Sequence, residues 1–299
     1  MEHHAIHFMT PAVTPLCPDG QLDLESCGRL YEHLIQNGVD GILVLGSIGE
    51  FYALTMEQKK EMIRFAVATV NHRAQVIIGT ASMVLEEVIS LSNFALEEGA
   101  DAVMVVPPYY FHYTDASVFD YYDKLAEAIP GKLYLYNFPD RTGYEISPAV
   151  AKALAEKHAN IVGIKDSVQS FDHTRELIKQ VRTVRPDFLV YSGYDDSFVH
   201  NILSGGNGCI GGLSNIRPAL TSSWVQAAKD RDWDRAEAIQ HTVDQLMDIY
   251  YVGKPFVPYI KQAVAMEGII RYNTSSFPMP VPTEEETAKL TRILAPTKP

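Results

Sequence analysis

Short runs of β-branched and apolar residues recur along this chain at spacings of roughly 20 to 35 residues, and that period constrains the fold more than any other feature. The runs begin near Ile6, Gly41, Gln75, Ala100, Lys132, Ile161, Phe188 and Gly208. Segments of helical periodicity separate them. After Asp23, a residue suited to capping a helix, Leu24, Cys27, Leu30, Tyr31, Leu34 and Ile35 fall on one helical face. Gly38 supplies the left-handed position that ends such a helix, and the same ending returns at Gly99 and in Gly205-Gly206-Asn207-Gly208. Most of the runs lack strict polar/apolar alternation, so both faces are expected to be buried, as in a parallel sheet under helices. The pattern predicts an α/β fold, a (β/α)8 TIM barrel over residues 1–220. Residues 221–299 carry no further strand pattern and read as a C-terminal helical extension packed on the barrel, in one structural unit. Helices are expected around Ser222–Tyr250, around Pro255–Met266, and after the turn marked by Pro278, Pro280 and Pro282. A doubly wound open sheet is the alternative, but no GxGxxG follows an early strand and no Walker A loop occurs.

Charge and cysteine usage exclude several classes of function. A net charge of −12 makes nucleic acid and anionic membrane surfaces poor partners, although a local Arg or Lys can still receive a small anion. Cys17, Cys27 and Cys209 are odd in number and widely spaced, which argues against a disulfide framework or a zinc site and points to a reducing cytoplasm. No apolar run reaches the length of about 18 residues that suggests a membrane span, and the chain start lacks a signal pattern. His3, His4 and His7 read as a solvated end.

In such a barrel the chemistry gathers where the strands end at their C-terminal side. Lys165 closes the apolar run Ile161-Val162-Gly163-Ile164, whereas Lys132 begins a strand and falls on the opposite, stability face. An ammonium drawn into an apolar wall has its pKa lowered, and a neutral amine is the form that attacks a ketone to make a Schiff base. A lysine that snorkels into solvent is the competing reading. Tyr136, on the adjacent strand, and Ser47 carry hydroxyls able to pass the protons this chemistry moves, though Tyr136 is equally readable as a rim tyrosine of the core. The Gly46–Gly49 turn, expected to open a helix, offers backbone N–H groups to a carboxylate, a weak signal because glycines also simply close strand–helix connections. Arg141 could clamp a second carboxylate or be a solvated turn residue. Asp195 and Asp196, adjacent at a strand end, point different ways, so at most one meets substrate. The same relation weakens a direct ion pair between Lys165 and Asp166.

Together these segments resemble the dihydrodipicolinate synthase / N-acetylneuraminate lyase family of class I pyruvate aldolases. The resemblance covers nearly the whole chain. It is carried by Gly46-Ser47-x-Gly49-Glu50, Tyr136-Asn137-x-Pro139, Gly163-Ile164-Lys165 and Gly205-Gly206-x-Gly208, in order and at barrel spacing. It implies a tetramer, a dimer of dimers, and a pyruvate Schiff base on Lys165 with Tyr136 as acid/base. It also implies that Tyr110 reaches a neighbouring subunit's site. Gly46, Ile48, Arg141, Ser167, Gly193, Asp195, Asp196 and Ile210 are the expected substrate-binding positions. Two departures stand out. Ile48 replaces the second hydroxyl residue of the synthase motif, and Gly212 stands where the sialic acid lyases commonly have serine. Tyr136 to Asp140, Gly163 to Ser167 and Gly193 to Asp196, followed by Pro255-Phe256-Val257, are most similar to the 2-keto-3-deoxy sugar-acid aldolases. The position of Arg141 is often apolar there, which hints at an extra anionic group on the acceptor.

The resulting expectation is a metal-independent class I aldolase, without cofactor, that cleaves a 2-keto-3-deoxy sugar acid to pyruvate and an aldehyde. Its rivals are dihydrodipicolinate synthase, N-acetylneuraminate lyase, a metal-dependent aldolase, and a non-catalytic pyruvate-binding regulatory barrel favoured only by Ile48.

Overall fold

The computed structural model of the chain describes residues 5–297, so His3 and His4 lie outside the described residues. Eight parallel strands follow one another in chain order and close into a barrel. They are β1 (His7–Pro11), β2 (Gly41–Val44), β3 (Gln75–Gly79), β4 (Ala102–Val105), β5 (Leu133–Asn137), β6 (Ile161–Asp166), β7 (Leu189–Ser192) and β8 (Gly208–Ile210). All eight runs read from the sequence are strands, with starts displaced by at most two residues. Alternating with them are α1 (Leu24–Gln36), α2 (Met56–Val70), α3 (Leu85–Glu97), α4 (Asp115–Ala128), the short α5 (Pro139–Thr142), α6 (Pro148–Lys157), α7 (Phe171–Val181) and α8 (Phe198–Leu203). After β8 come α9 (Pro218–Asp230), α10 (Trp233–Leu246), α11 (Val257–Met266) and α12 (Glu284–Leu294).

Local chemistry sets these boundaries. Asp23 caps α1 by accepting from the Ser26 N–H at 3.0 Å, and Gly38 follows the helix at φ +78°. Capping boxes of Thr55 with Gln58 and of Thr283 with Glu286 start α2 and α12. The long helical segment expected before Tyr250 is broken where Arg231 takes φ +58°, and Asp232 then caps α10. His7 does not belong to a solvated end. It opens β1, is half-buried, and its Nδ1 lies 3.0 Å from the Tyr191 hydroxyl.

The chain divides into two compact units. One comprises Ile77–Ile210 with the chain start up to His7, and its core is built on strand residues such as Ile77, Val103, Leu133, Ile164 and Val190, all fully buried. The other comprises Phe8–Val76 with the chain from Gly211 onward. Its largest buried side chain is Trp224, whose Nε1–H donates to the Ala236 carbonyl at 3.0 Å. Among the described residues no helix is long and apolar enough to cross a membrane.

One irregularity matters for the chemistry. Leu133 is opposite Ile161, but Tyr134 is already opposite Gly163, so β6 carries one extra residue. A regular ladder continued from Leu133 would set Tyr136 against Ile164; the bulge sets it against Lys165 instead.

Candidate active site

Lys165 and Tyr136 end their strands side by side, each only 4% exposed. The lysine Nζ donates to the tyrosine hydroxyl at 3.3 Å and lies 4.5 Å from the centre of its ring. Behind the tyrosine the aromatic stack continues. The Phe138 ring is 5.8 Å away at 22°, and the guanidinium of the exposed Arg141 sits 5.1 Å from the centre of the Phe138 ring. Lys132, by contrast, is exposed just ahead of β5.

The residues immediately after the pair form a second cluster on the other face of the sheet, because successive strand side chains alternate. Asn137 Nδ2 donates to Asp166 Oδ1 at 2.8 Å. Asp166 Oδ2 takes the Thr174 hydroxyl at 2.7 Å and His173 Nδ1 at 3.1 Å. His173 Nε2 reaches the Ile146 carbonyl at 3.3 Å, and the Ile146 N–H returns to Asn137 Oδ1 at 2.8 Å. Both partners of the imidazole are acceptors, so both contacts are satisfied together when each ring nitrogen carries a proton, as in the imidazolium. Burial works against that charge, but the bond to Asp166, its charge and that of Glu145 outweigh it and raise the His173 pKa above 6.5. Asp166 is thus engaged by other partners, in keeping with the weak case for an ion pair with Lys165.

The remaining candidates of this unit take distinct places. Ser167 is buried, and its N–H donates to the Asn137 carbonyl at 2.8 Å. Gly193 packs against it so closely that a Cβ there would collide with the Ser167 hydroxyl. Asp195 and Asp196 lie in a 3₁₀ turn over Asp195–Ser197 rather than on the strand, with Asp195 buried and Asp196 exposed. Tyr194 donates to Asp140 at 3.0 Å, and burial together with that carboxylate pushes its phenol pKa up. Ile210 is fully buried at the end of β8. Tyr110 is 80% exposed with its ring against Phe111, on a loop whose Pro108 carbonyl is held by the Tyr144 hydroxyl.

In the second unit, the turn after β2 is bracketed by two residues in the left-handed region, Leu45 at φ +59° and Glu50 at φ +56°. A bulky residue there carries strain of order 1–3 kcal/mol, so surrounding contacts must hold it. They are on hand. Thr14 Oγ1 donates to the Gly49 carbonyl at 2.7 Å. The Glu50 carboxylate, with no exposure, takes Lys261 Nζ at 2.6 Å and both the N–H and hydroxyl of Ser276 at 2.7 Å. The turn leads into a 3₁₀ turn over Phe51–Ala53, so it does not open α2 directly. Ser47 is half-buried and Ile48 buried. A Cβ on Gly212 would come within 2.7 Å of Ile48 Cδ1 and 2.5 Å of the Tyr250 hydroxyl.

Sequence reasoning did not pick out His173, Thr174, Lys261 or Tyr250. Lys261 offered the same signal as Lys165, a lone cation in an apolar run, but on a helix. No group of three or more His, Cys, Asp or Glu side chains among the described residues is arranged to hold a metal ion.

The family model described as "Dihydrodipicolinate synthetase family" matches residues 5–296. The Escherichia coli protein named "Putative 2-dehydro-3-deoxy-D-gluconate aldolase YagE" is 38% identical over 261 residues, which cover 87% of this chain and 86% of that protein. The "Probable 2-dehydro-3-deoxy-D-pentonate aldolase YjhH" of Escherichia coli is 35% identical, covering 88% of this chain and 87% of YjhH. The crystal structure of YagE in complex with pyruvate superposes with a TM-score of 0.94 at 35% identity and covers 99% of each chain. The chain belongs to the dihydrodipicolinate synthetase family.

Proposed function

We propose that this protein is a class I aldolase that reversibly cleaves a 2-keto-3-deoxy sugar acid to pyruvate and an aldehyde. The observation that carries the reading is the register-paired, buried Lys165 and Tyr136, with Nζ and hydroxyl 3.3 Å apart. The amine of Lys165 attacks the C2 carbonyl carbon, and the carbonyl oxygen takes two protons, one of them from the amine nitrogen, and leaves as water, giving an iminium. Tyr136 removes the C4 hydroxyl proton, the C3–C4 electron pair flows into the iminium, and the aldehyde departs. The enamine is then protonated at C3, and water releases pyruvate and the free lysine. Ser47 and a neighbouring subunit's Tyr110 are proposed to relay the proton, and the Gly46–Gly49 turn to receive the keto-acid carboxylate through its N–H groups. Ser167, Gly193, Ile210 and the buried Asp195 are proposed to line the acceptor chain, with Asp196 and Ile48 at its margins. The iminium is itself the electrophile, so this route needs no cofactor. A cytoplasmic homotetramer is the proposed working form.

The similarity to YagE and YjhH supports the sugar-acid substrate. Arg141, exposed on the Phe138 ring, supports a second reading in which the acceptor is an anionic aldehyde such as aspartate semialdehyde. Borohydride reduction in the presence of pyruvate should fix pyruvate's carbon skeleton to Lys165, detected by peptide mass. Absence of that adduct, or its appearance on another lysine, would sink the mechanism. Turnover of 2-keto-3-deoxygluconate, sialic acid, and pyruvate with aspartate semialdehyde then separates the substrates.

A further inference from the structure

Four hydrogen bonds close a ring directly behind the reacting pair. It runs from Asn137 to Asp166, on to His173, on to the Ile146 carbonyl, and back from the Ile146 N–H to Asn137, with every link between 2.8 and 3.3 Å. We propose that Asp166 and His173 are positioning residues, and that this ring sets the alignment of Lys165 with Tyr136.

Three observations carry the assignment. First, Asn137 and Asp166 are the register pair next after Tyr136 and Lys165, so whatever ties them fixes how the two catalytic strands are rotated and staggered at their ends. The stagger needs fixing because β5 and β6 are already out of regular register by the bulge at Leu133/Tyr134. Second, the ring grips from the side opposite the reacting groups. It can therefore hold them without occupying the space in which substrate reacts. It draws on β5, β6, α7 and the segment before α6 at once, and Thr174 adds a further bond to the same carboxylate. Third, the Asp166 side chain is wholly buried and His173 is only 8% exposed. A buried ion pair gives weak net stability against an apolar replacement, so its use here calls for a geometric reason. Placement errors of about 1 Å at reacting atoms can lower rates about 100-fold, which is the scale such a device would protect.

The inference rests on the Schiff-base reading, and its test separates the two. The rate of borohydride-trappable adduct formation is measured at saturating pyruvate and divided by the final number of trapped Lys165 sites, so that misfolded protein does not count. Asp166→Ala and His173→Gln each open the ring and should lower this rate per site about tenfold or more, with half-saturation by pyruvate held within about twofold. Glu267→Gln, which breaks the Arg217–Glu267 pair in the other unit, should lower thermal stability and leave the rate per site unchanged. Wild-type rates per site in both ring variants would overturn the positioning role. Should Asp166→Ala fail to fold, His173→Gln decides alone. No adduct on wild-type Lys165 would instead overturn the aldolase reading itself.

Discussion

At the scale of single residues, the proposed chemistry rests on a lysine amine and a tyrosine hydroxyl 3.3 Å apart. Removing only the hydroxyl tests it. Tyr136→Phe keeps the ring under Nζ and in the stack with Phe138, so the fold should hold while kcat falls by about 100- to 10,000-fold. A fall of less than tenfold in steady-state cleavage would assign the proton transfer to another group. His173 gives a test through pH. Its folded pKa is raised above the ordinary 6.5, so its stabilising contribution is complete below that value and is lost as pH rises through the folded pKa. The gap in denaturant stability between wild type and His173→Gln should therefore be wider near pH ~5.5 than near pH ~8.5. A gap that widens toward alkaline pH would contradict an imidazolium at this position. Lys165 was legible in the sequence because a cation ending an apolar strand has few physical reasons to be there. Its contact with Tyr136 was only half legible. Strand adjacency follows from chain order, but the extra residue in β6 that sets the two face to face leaves no mark in composition or period.

At the scale of elements, the turn after β2 is held in a conformation its residues would not choose. Leu45 and Glu50 both sit at positive φ, and Glu50 is fastened through Lys261 and Ser276. Lys261→Met leaves the Glu50 carboxylate buried without its cation and should cost about 3–5 kcal/mol of unfolding free energy. The double variant Glu50→Leu with Lys261→Met removes both charges and should recover most of that loss. Equal losses in the single and double variants, by chemical denaturation, would show that the ion pair is not the fastening. This arrangement was not readable in advance, since Glu50 and Lys261 are 211 positions apart and one lies in a loop, the other on α11. What the sequence did disclose at this scale was the cap of α1, because Asp23 acts within three residues of itself. The 3₁₀ turns after β2 and β7 escaped notice, being too short to carry a period.

At the scale of the whole molecule, strand spacing announced the closed barrel, since eight runs separated by helix-length segments leave few other parallel arrangements. Assembly is less visible from one chain. Tyr110 is exposed beside Phe111, which is 65% exposed, and its proposed role lies in the site of a second copy. Subunits bearing Lys165→Met, mixed and exchanged with subunits bearing Tyr110→Phe, should recover activity that neither variant shows alone. Hybrids verified by native mass without any recovery would confine Tyr110 to its own chain. The packing over Gly212 has a consequence for how such a protein can change over generations. Ile48 and Tyr250 occupy the space a side chain at 212 would enter, so these positions cannot drift independently. Gly212→Ser alone should lose roughly 1–3 kcal/mol by overpacking, and less when Ile48→Thr is already present, a non-additivity measurable in a double-mutant cycle. A lineage moving between this sequence and a serine-bearing relative therefore has a favoured order of steps: the serine costs less once the isoleucine has shrunk.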